Sequence, residues 1–272
     1  MRAVVRFVLV VIGIAATVVV GPACVSLAAV DRSHGLAIAS VLPTRGEVVG
    51  VAHPVVVTFG APVANRQAAE RVIEVQSVPA MTGKFEWLDN DVVQWVPDRF
   101  WPAHSTVALS VGGLSTDFKT NFKTGPAVLG VADISDHTFT VSIDGVEAGT
   151  PPRLPAPHHQ PHRGEEGVML ASMGKEPFST PVDSYTVMSK ERSVIMDSSS
   201  VGIPLSDPEG YRLTVDHAVR ITSRGLYVHS APWAVQSLGV ENVSHGCISL
   251  SPAAAEWYFD TVNIGDPVIV QE

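Results

Sequence analysis

The chain has 272 residues, 18 Lys and Arg against 27 Asp and Glu, and a net charge of −9. That acidic balance, without a basic cluster, lacks the electrostatic footprint that phosphate binding needs and excludes nucleic acid as a partner. Hydrophobic residues at 46% over this length can bury a sizeable core and leave room for two ordinary domains.

Arg2 and Arg6 precede an uninterrupted apolar run from Phe7 to Val20, and Ser26-Leu27-Ala28 is a small-residue cleavage site. Residues 1–30 are therefore read as an export signal, either removed or kept as a membrane anchor, which puts the mature chain in the periplasm or cell wall. Cys24 follows Gly21-Pro22-Ala23, a poor lipobox, so lipidation is not favoured. Downstream there is a single cysteine, Cys247. Exported cysteines ordinarily pair, so this thiol either lacks a partner or is kept free for its reactivity.

After a linker over 31–39, short β-rich runs follow at His53 to Phe59, Arg71 to Val75, Lys84 to Leu88, Val92 to Val96, Thr106 to Val111 and Asp117 to Phe122. Their spacing and their Pro, Gly, Asn and Asp separators predict an immunoglobulin-like sandwich over 40–125. Trp87, Trp95 and Trp101 could form a sugar-binding platform, but aromatics at strand periodicity are read as core packing. The role expected of this domain is spacing and positioning.

Thr124-Gly125-Pro126 marks a boundary, and a second β-rich domain is expected over 126–272. It holds two strand-like runs between Val131 and Ile143, a hairpin turn at Asp144-Gly145, and strands at Val168 to Met173, Ser193 to Met196, Tyr211 to Val215, Ala218 to Ile221 and Leu226 to His229. Pro151 to Gly167 is too rich in Pro and charge for a strand and reads as an exposed loop, with His158, His159 and His162 solvated rather than metal-binding. Ser251 caps a short helix with Pro252 at its first position, and the chain ends in a strand, Pro267 to Val270. The fold class expected is mainly β, an immunoglobulin-like β-sandwich followed by a second β-sandwich domain with a short C-terminal helix.

The chemistry gathers between His229 and Ser249. A catalytic cysteine needs a base, something to orient that base, and backbone N–H groups for the oxyanion formed on attack. Ser244-His245-Gly246-Cys247 ends a loop and runs into Ile248-Ser249-Leu250, whose alternation suits a half-buried strand, while Gly246 lets the backbone turn. A nearby imidazole is expected to lower the thiol pKa enough for a thiolate–imidazolium pair. His229, His245 and Cys247 as a zinc site is the weaker alternative, for want of a carboxylate or second thiol.

His229, a spacer, then Ser244-His245-Gly246-Cys247 resembles the signature of the YkuD-type L,D-transpeptidase catalytic domain. Met173-Gly174-Lys175 with Thr180-Pro181, Met196-Asp197, Tyr211 and the His229–Trp233 stretch also resemble that family, and the preceding domain resembles its mycobacterial members. The resemblance implies that Cys247 is the nucleophile and His229 the base and later acid. The Ser230 carbonyl would orient the imidazole, and the amides of His245, Gly246 and Cys247 would line the oxyanion hole. Tyr211, Arg224 and Gly225 fall where family members contact substrate, and Trp233 belongs to a loop able to act as a lid. Ser249 departs from the family's Asn, and Asp183 stands where a glycine usually follows Thr-Pro.

By the same resemblance, the substrates are peptidoglycan stem peptides, joined between their third residues through a cysteine thioester. Carbapenem-type β-lactams would be covalent inhibitors, and no cofactor or metal is expected. Two alternatives are an L,D-carboxypeptidase using the same thioester and a non-catalytic wall-binding module. A sortase would need an arginine after the cysteine, and no Lys or Arg follows Cys247. Papain-like peptidases have the cysteine before the histidine.

Overall fold

The computed structural model describes residues 37–113, 118–147 and 167–272. The leader, Cys24 and the histidines of the Pro-rich segment lie outside the described residues. Among those described, no helix is long and apolar enough to cross a membrane.

The first domain contains β1 (Ile38–Leu42), β2 (Val48–Val49), β3 (Val55–Phe59), helix α1 (Arg66–Arg71), β4 (Ile73–Gln76), β5 (Gly83–Trp87), β6 (Val92–Pro97), β7 (Thr106–Val111) and β8 (Phe118–Thr124). Two four-stranded sheets, β1-β3-β6-β5 and β2-β8-β7-β4, enclose one apolar cluster. The tryptophans are core, as the pattern suggested. Trp101 stacks on Trp95 at 5.3 Å, meets Phe122 edge-on at 6.0 Å and donates its indole N–H to the His53 carbonyl. Trp87 packs at the rim, its N–H on Glu70 and the Arg66 guanidinium over its ring.

The strand expected from Arg71 begins only at Ile73. Asn65 accepts the Ala68 N–H, and this cap with the helix-forming run Arg-Gln-Ala-Ala-Glu-Arg carries a helix through Arg71 first.

The second domain contains β9 (Val128–Asp133), β10 (Thr138–Ile143), β11 (Val146–Glu147), β12 (Val168–Ser172), β13 (Asp183–Thr186), β14 (Ser189–Asp197), β15 (Arg212–Arg220), β16 (Tyr227–Ser230), β17 (Ile248–Leu250), α2 (Pro252–Thr261) and β18 (Pro267–Gln271). The hydrogen-bonded order is β13-β18-β9-β10-β12-β17-β16-β15-β14, with β11 on β10. β12 joins the two halves: Val168 to Leu170 pair with β10, and Ala171 and Ser172 with β17. Phe139, Met169, Val219, Val228, Ile248 and Tyr258 share one core that draws on both halves.

Asp144 and Gly145 both have positive φ, +52° and +79°, and form the two-residue turn between β10 and β11. The two strands expected between Tyr211 and Ile221 are one, Arg212–Arg220. His217, at φ +50°, lies within it, and the pairing with β14 keeps one register on either side. α2 starts as expected, with the Ser251 hydroxyl accepting the Ala254 N–H and Pro252 at the first position.

The two domains are stitched together by backbone. The Gly50 and Ala52 N–H groups donate to the carbonyls of Ile264 and Gly265 at 2.8 Å, and the Val51 N–H to the buried carboxylate of Asp266. Gly265 is obligatory here. Its φ is +95°, and a Cβ would lie 2.5 Å from that of His53.

Candidate active site

β16 and β17 run parallel, with Val228 opposite Ile248, His229 opposite Ser249 and Ser230 opposite Leu250. Because strand side chains alternate, His229 and Ser249 share a face, and Cys247, two residues before Ser249, comes to the same side. All three line one cavity of about 180 Å³. Tyr211, Trp233, Ser244 and His245 complete its polar and aromatic wall, with Met196, Leu213 and Val243 as its apolar part.

His229 is buried, and its Nδ1 lies 2.9 Å from the Ser230 carbonyl. A carbonyl only accepts, so Nδ1 carries the proton and Nε2 keeps the lone pair. The half-exposed Trp233 stacks on this imidazole at 6.0 Å and covers it from outside.

The Cys247 thiol donates to the Gly225 carbonyl at 3.7 Å and receives the Tyr227 N–H. Burial pushes the thiol pKa up to about 11, and burial likewise pulls His229 below its ordinary value. Burial thus disfavours the charged form of both groups, against the expected ion pair. Desolvation outweighs the one backbone hydrogen bond that favours each charged form, donated by the imidazole to Ser230 and accepted by the sulfur from Tyr227.

The loop that delivers Cys247 is clamped from within and from outside. The Ser244 hydroxyl accepts the Gly246 N–H at 3.1 Å and donates to the Cys247 carbonyl at 2.6 Å. Gly246 has φ +117°, a backbone that only glycine adopts without strain. From the segment after β12, Thr180 donates to the Gly246 carbonyl and accepts the Gly174 N–H, while the Ser244 N–H and carbonyl bond Met173 and Lys175. Gly174 has no space for a side chain, since a Cβ would sit 2.1 Å from the Phe178 carbonyl and 2.9 Å from Gly246 Cα. Of the three amides expected at the oxyanion, that of Gly246 is occupied inside the loop.

His245 turns towards Glu209, with Nε2 2.8 Å from Oε2, between Phe178 and Tyr211 at 4.8 Å and 5.0 Å. The ammonium of Lys175 holds the same carboxylate at 2.8 Å and, with His245, keeps its pKa below the usual range. Glu209 lies in Asp207-Pro208-Glu209-Gly210, a turn pattern in which nothing local points to this contact.

Other expected residues divide. Tyr211, Trp233 and Ser249 line the cavity, whereas Gly225 contributes its carbonyl to the thiol. Arg224 is exposed and outside the lining, and Asp183 is an exposed residue opening β13. Among the described residues, no three His, Cys, Asp or Glu are arranged to hold a metal ion.

A partly buried thiol and an oriented imidazole, both opening on one small cavity, set the class as a cysteine-dependent acyltransferase. Residues 129–270 match the family described as L,D-transpeptidase catalytic domain, YkuD, and residues 26–113 match the bacterial Ig domain. The chain belongs to the YkuD L,D-transpeptidase family. It is 74% identical to the probable L,D-transpeptidase 3 of Mycobacterium tuberculosis over 275 residues, 100% of both chains. A crystal structure of L,D-transpeptidase 3 from that organism with a faropenem-derived adduct is similar at 75% identity and TM-score 0.78, covering 87% of this chain and 98% of its own. A structure of the L,D-transpeptidase LdtMt1 with imipenem is similar at 49% identity and TM-score 0.75, covering 87% and 99%.

Proposed function

We propose that this enzyme cross-links peptidoglycan stem peptides between their third residues, with Cys247 as nucleophile and His229 as base and then acid. The observation that carries the assignment is the pairing of β16 with β17, which sets an oriented imidazole and the thiol on one face of the cavity. His229 Nε2 takes the thiol proton as sulfur attacks the donor carbonyl, since burial disfavours a free thiolate. The backbone amides of His245 and Cys247 are the candidates to receive the oxyanion. The protonated imidazole then gives its proton to the leaving D-Ala amine, and a thioester remains. An amine from a second stem attacks it, and an amide and free thiol result.

Trp233 and Tyr211, on the wall of the cavity, favour transfer over hydrolysis by excluding water. Arg224 and Gly225 border the thiol loop, where the stem would enter. Ser249 offers one hydroxyl where the family has an amide. The faropenem and imipenem complexes of similar proteins support carbapenem-type β-lactams as acylating inhibitors of this chain. The leader pattern supports export, with membrane anchorage a further reading of the same segment. The test is intact-mass analysis after incubation with a carbapenem: one adduct, mapped to Cys247, is expected, and an adduct elsewhere or none would overturn the assignment.

A further inference from the structure

The reaction so far leaves the side chain of His245 unused and one proton unassigned. A primary amine has a pKa of about 10, so the acceptor arrives as an ammonium. It must lose one proton before its lone pair can attack and a second after the new bond forms. His229 can take one of these.

Two separate stretches of chain, 175–178 and 209–211, meet around the His245 ring. Glu209 comes from the turn before β15, Lys175 from the segment bridged to Ser244, and Tyr211 and Phe178 flank the imidazole. The carboxylate accepts, so Nε2 carries the proton and Nδ1 keeps a lone pair on a ring that lines the cavity around Cys247. The titratable groups facing this ring are Glu209, Tyr211 and, around the same cavity, Cys247 and His229; Lys175 reaches it only through Glu209.

We propose that Glu209, anchored by Lys175, holds His245 as the base that deprotonates the incoming acceptor ammonium. The idea rests on amine transfer as the second half-reaction. The first ammonium proton passes to His245 Nδ1, on a ring that the Glu209 carboxylate holds by its Nε2–H, and from there to water. The freed amine then forms the C–N bond as the C–S bond breaks, and its second proton travels through His229 to the Cys247 sulfur, restoring the thiol. His245 is the catalytic residue of this step, and Glu209 is a positioning residue that acts through it.

The two half-reactions separate the idea from a structural role. In full-length Glu209→Gln, acylation by a carbapenem, which needs no acceptor, is expected to stay within about threefold of wild type. Transfer from a tetrapeptide donor to a primary-amine acceptor is expected to fall on the order of 100-fold near neutral pH, recovering as pH approaches the amine pKa. Equal losses in both half-reactions would show that the network merely holds the loop, and an unchanged transfer rate and pH profile would also overturn the proposal. Lys175→Met keeps the carboxylate and imidazole and should show a smaller loss of the same kind, which covers the case in which Glu209→Gln fails to fold. Wild-type acylation at Cys247 in the same assay distinguishes failure of this proposal from failure of the underlying reading.

Discussion

In the immunoglobulin-like domain the buried polar side chains serve the sandwich: Thr124 bonds the Pro102 carbonyl, Gln94 bonds Glu86, and His53 bonds the Pro54 carbonyl. In the catalytic domain Ser172, Thr180, His229, Ser230 and Ser249 are also buried, but they gather around the strand pair and loop that carry Cys247. The first domain is held by an aromatic core, and its buried polar groups bond to neighbours in that sandwich. The second places hydrogen bonds so that one thiol has one position. Stability and positioning should therefore respond to different substitutions in the two halves.

The largest expected effect breaks the chemistry and leaves both cores alone. Cys247→Ser should abolish cross-linking and carbapenem adduct formation with an unchanged thermal melt, because a hydroxyl beside one imidazole is a far weaker nucleophile. Adducts forming at the wild-type rate would sink the mechanism.

Next comes a contrast between the domains. Trp101→Ala should cost about 3–5 kcal/mol in urea unfolding by opening the aromatic cluster, while molecules that remain folded still acylate. Gly174→Ala should cost less, about 1–3 kcal/mol, yet slow acylation severely, because its methyl drives into the loop that bears Gly246. If both variants lose stability and acylation in the same proportion, the separation of roles is wrong.

The pH response sharpens the same contrast. His53 in one domain and His229 in the other both have pKa values lowered by burial, so each contributes stability above the ordinary histidine value and loses it as pH falls through its lower folded value. Acid should weaken both domains. Cys247 has its pKa raised from 9.0 to about 11, so its contribution is complete below the lower value and is lost as pH rises through the upper one. All four tyrosines also belong to the catalytic domain. Alkaline unfolding, followed through the tryptophans of each domain, should begin there. Carbapenem acylation should hold its rate down to about pH 6.5 and fall only in more acid solution, as the neutral imidazole is lost.

The smallest effect concerns Ser249, buried opposite His229 and Ser172. Restoring the family's residue, Ser249→Asn, should change acylation or tetrapeptide turnover by about 1 kcal/mol, one neutral hydrogen bond. Identical rates for both substrates would mean that this side chain does not meet the reacting molecule.

Much of this was legible along the chain. Alternation in Thr106–Val111, the Asp144-Gly145 turn and the Ser251-Pro252 helix start are short-range features, decided by side-chain periodicity, positive φ and capping. The thiol and the Ser-His-Gly before it were visible for the same reason, since they are contiguous, whereas His229 was singled out through the family's pattern. α1 was missed because its Asn cap and six helix-forming residues lie inside a β-rich run.

The sequence by itself determined most of the strands, the single downstream thiol and the glycine that turns the chain between Ser244 and that thiol. Only the tertiary structure decided that Gly174 and Thr180 clamp that loop, that Glu209 and Lys175 meet His245, and that Arg224 stays outside the cavity. It also decided that burial disfavours both charged forms at the site, where sequence chemistry suggested an ion pair. The reason is common to all four. Contacts across dozens of residues, and the desolvation that sets a buried group's charge, depend on which surfaces the folded sheet brings together, and no local pattern records that.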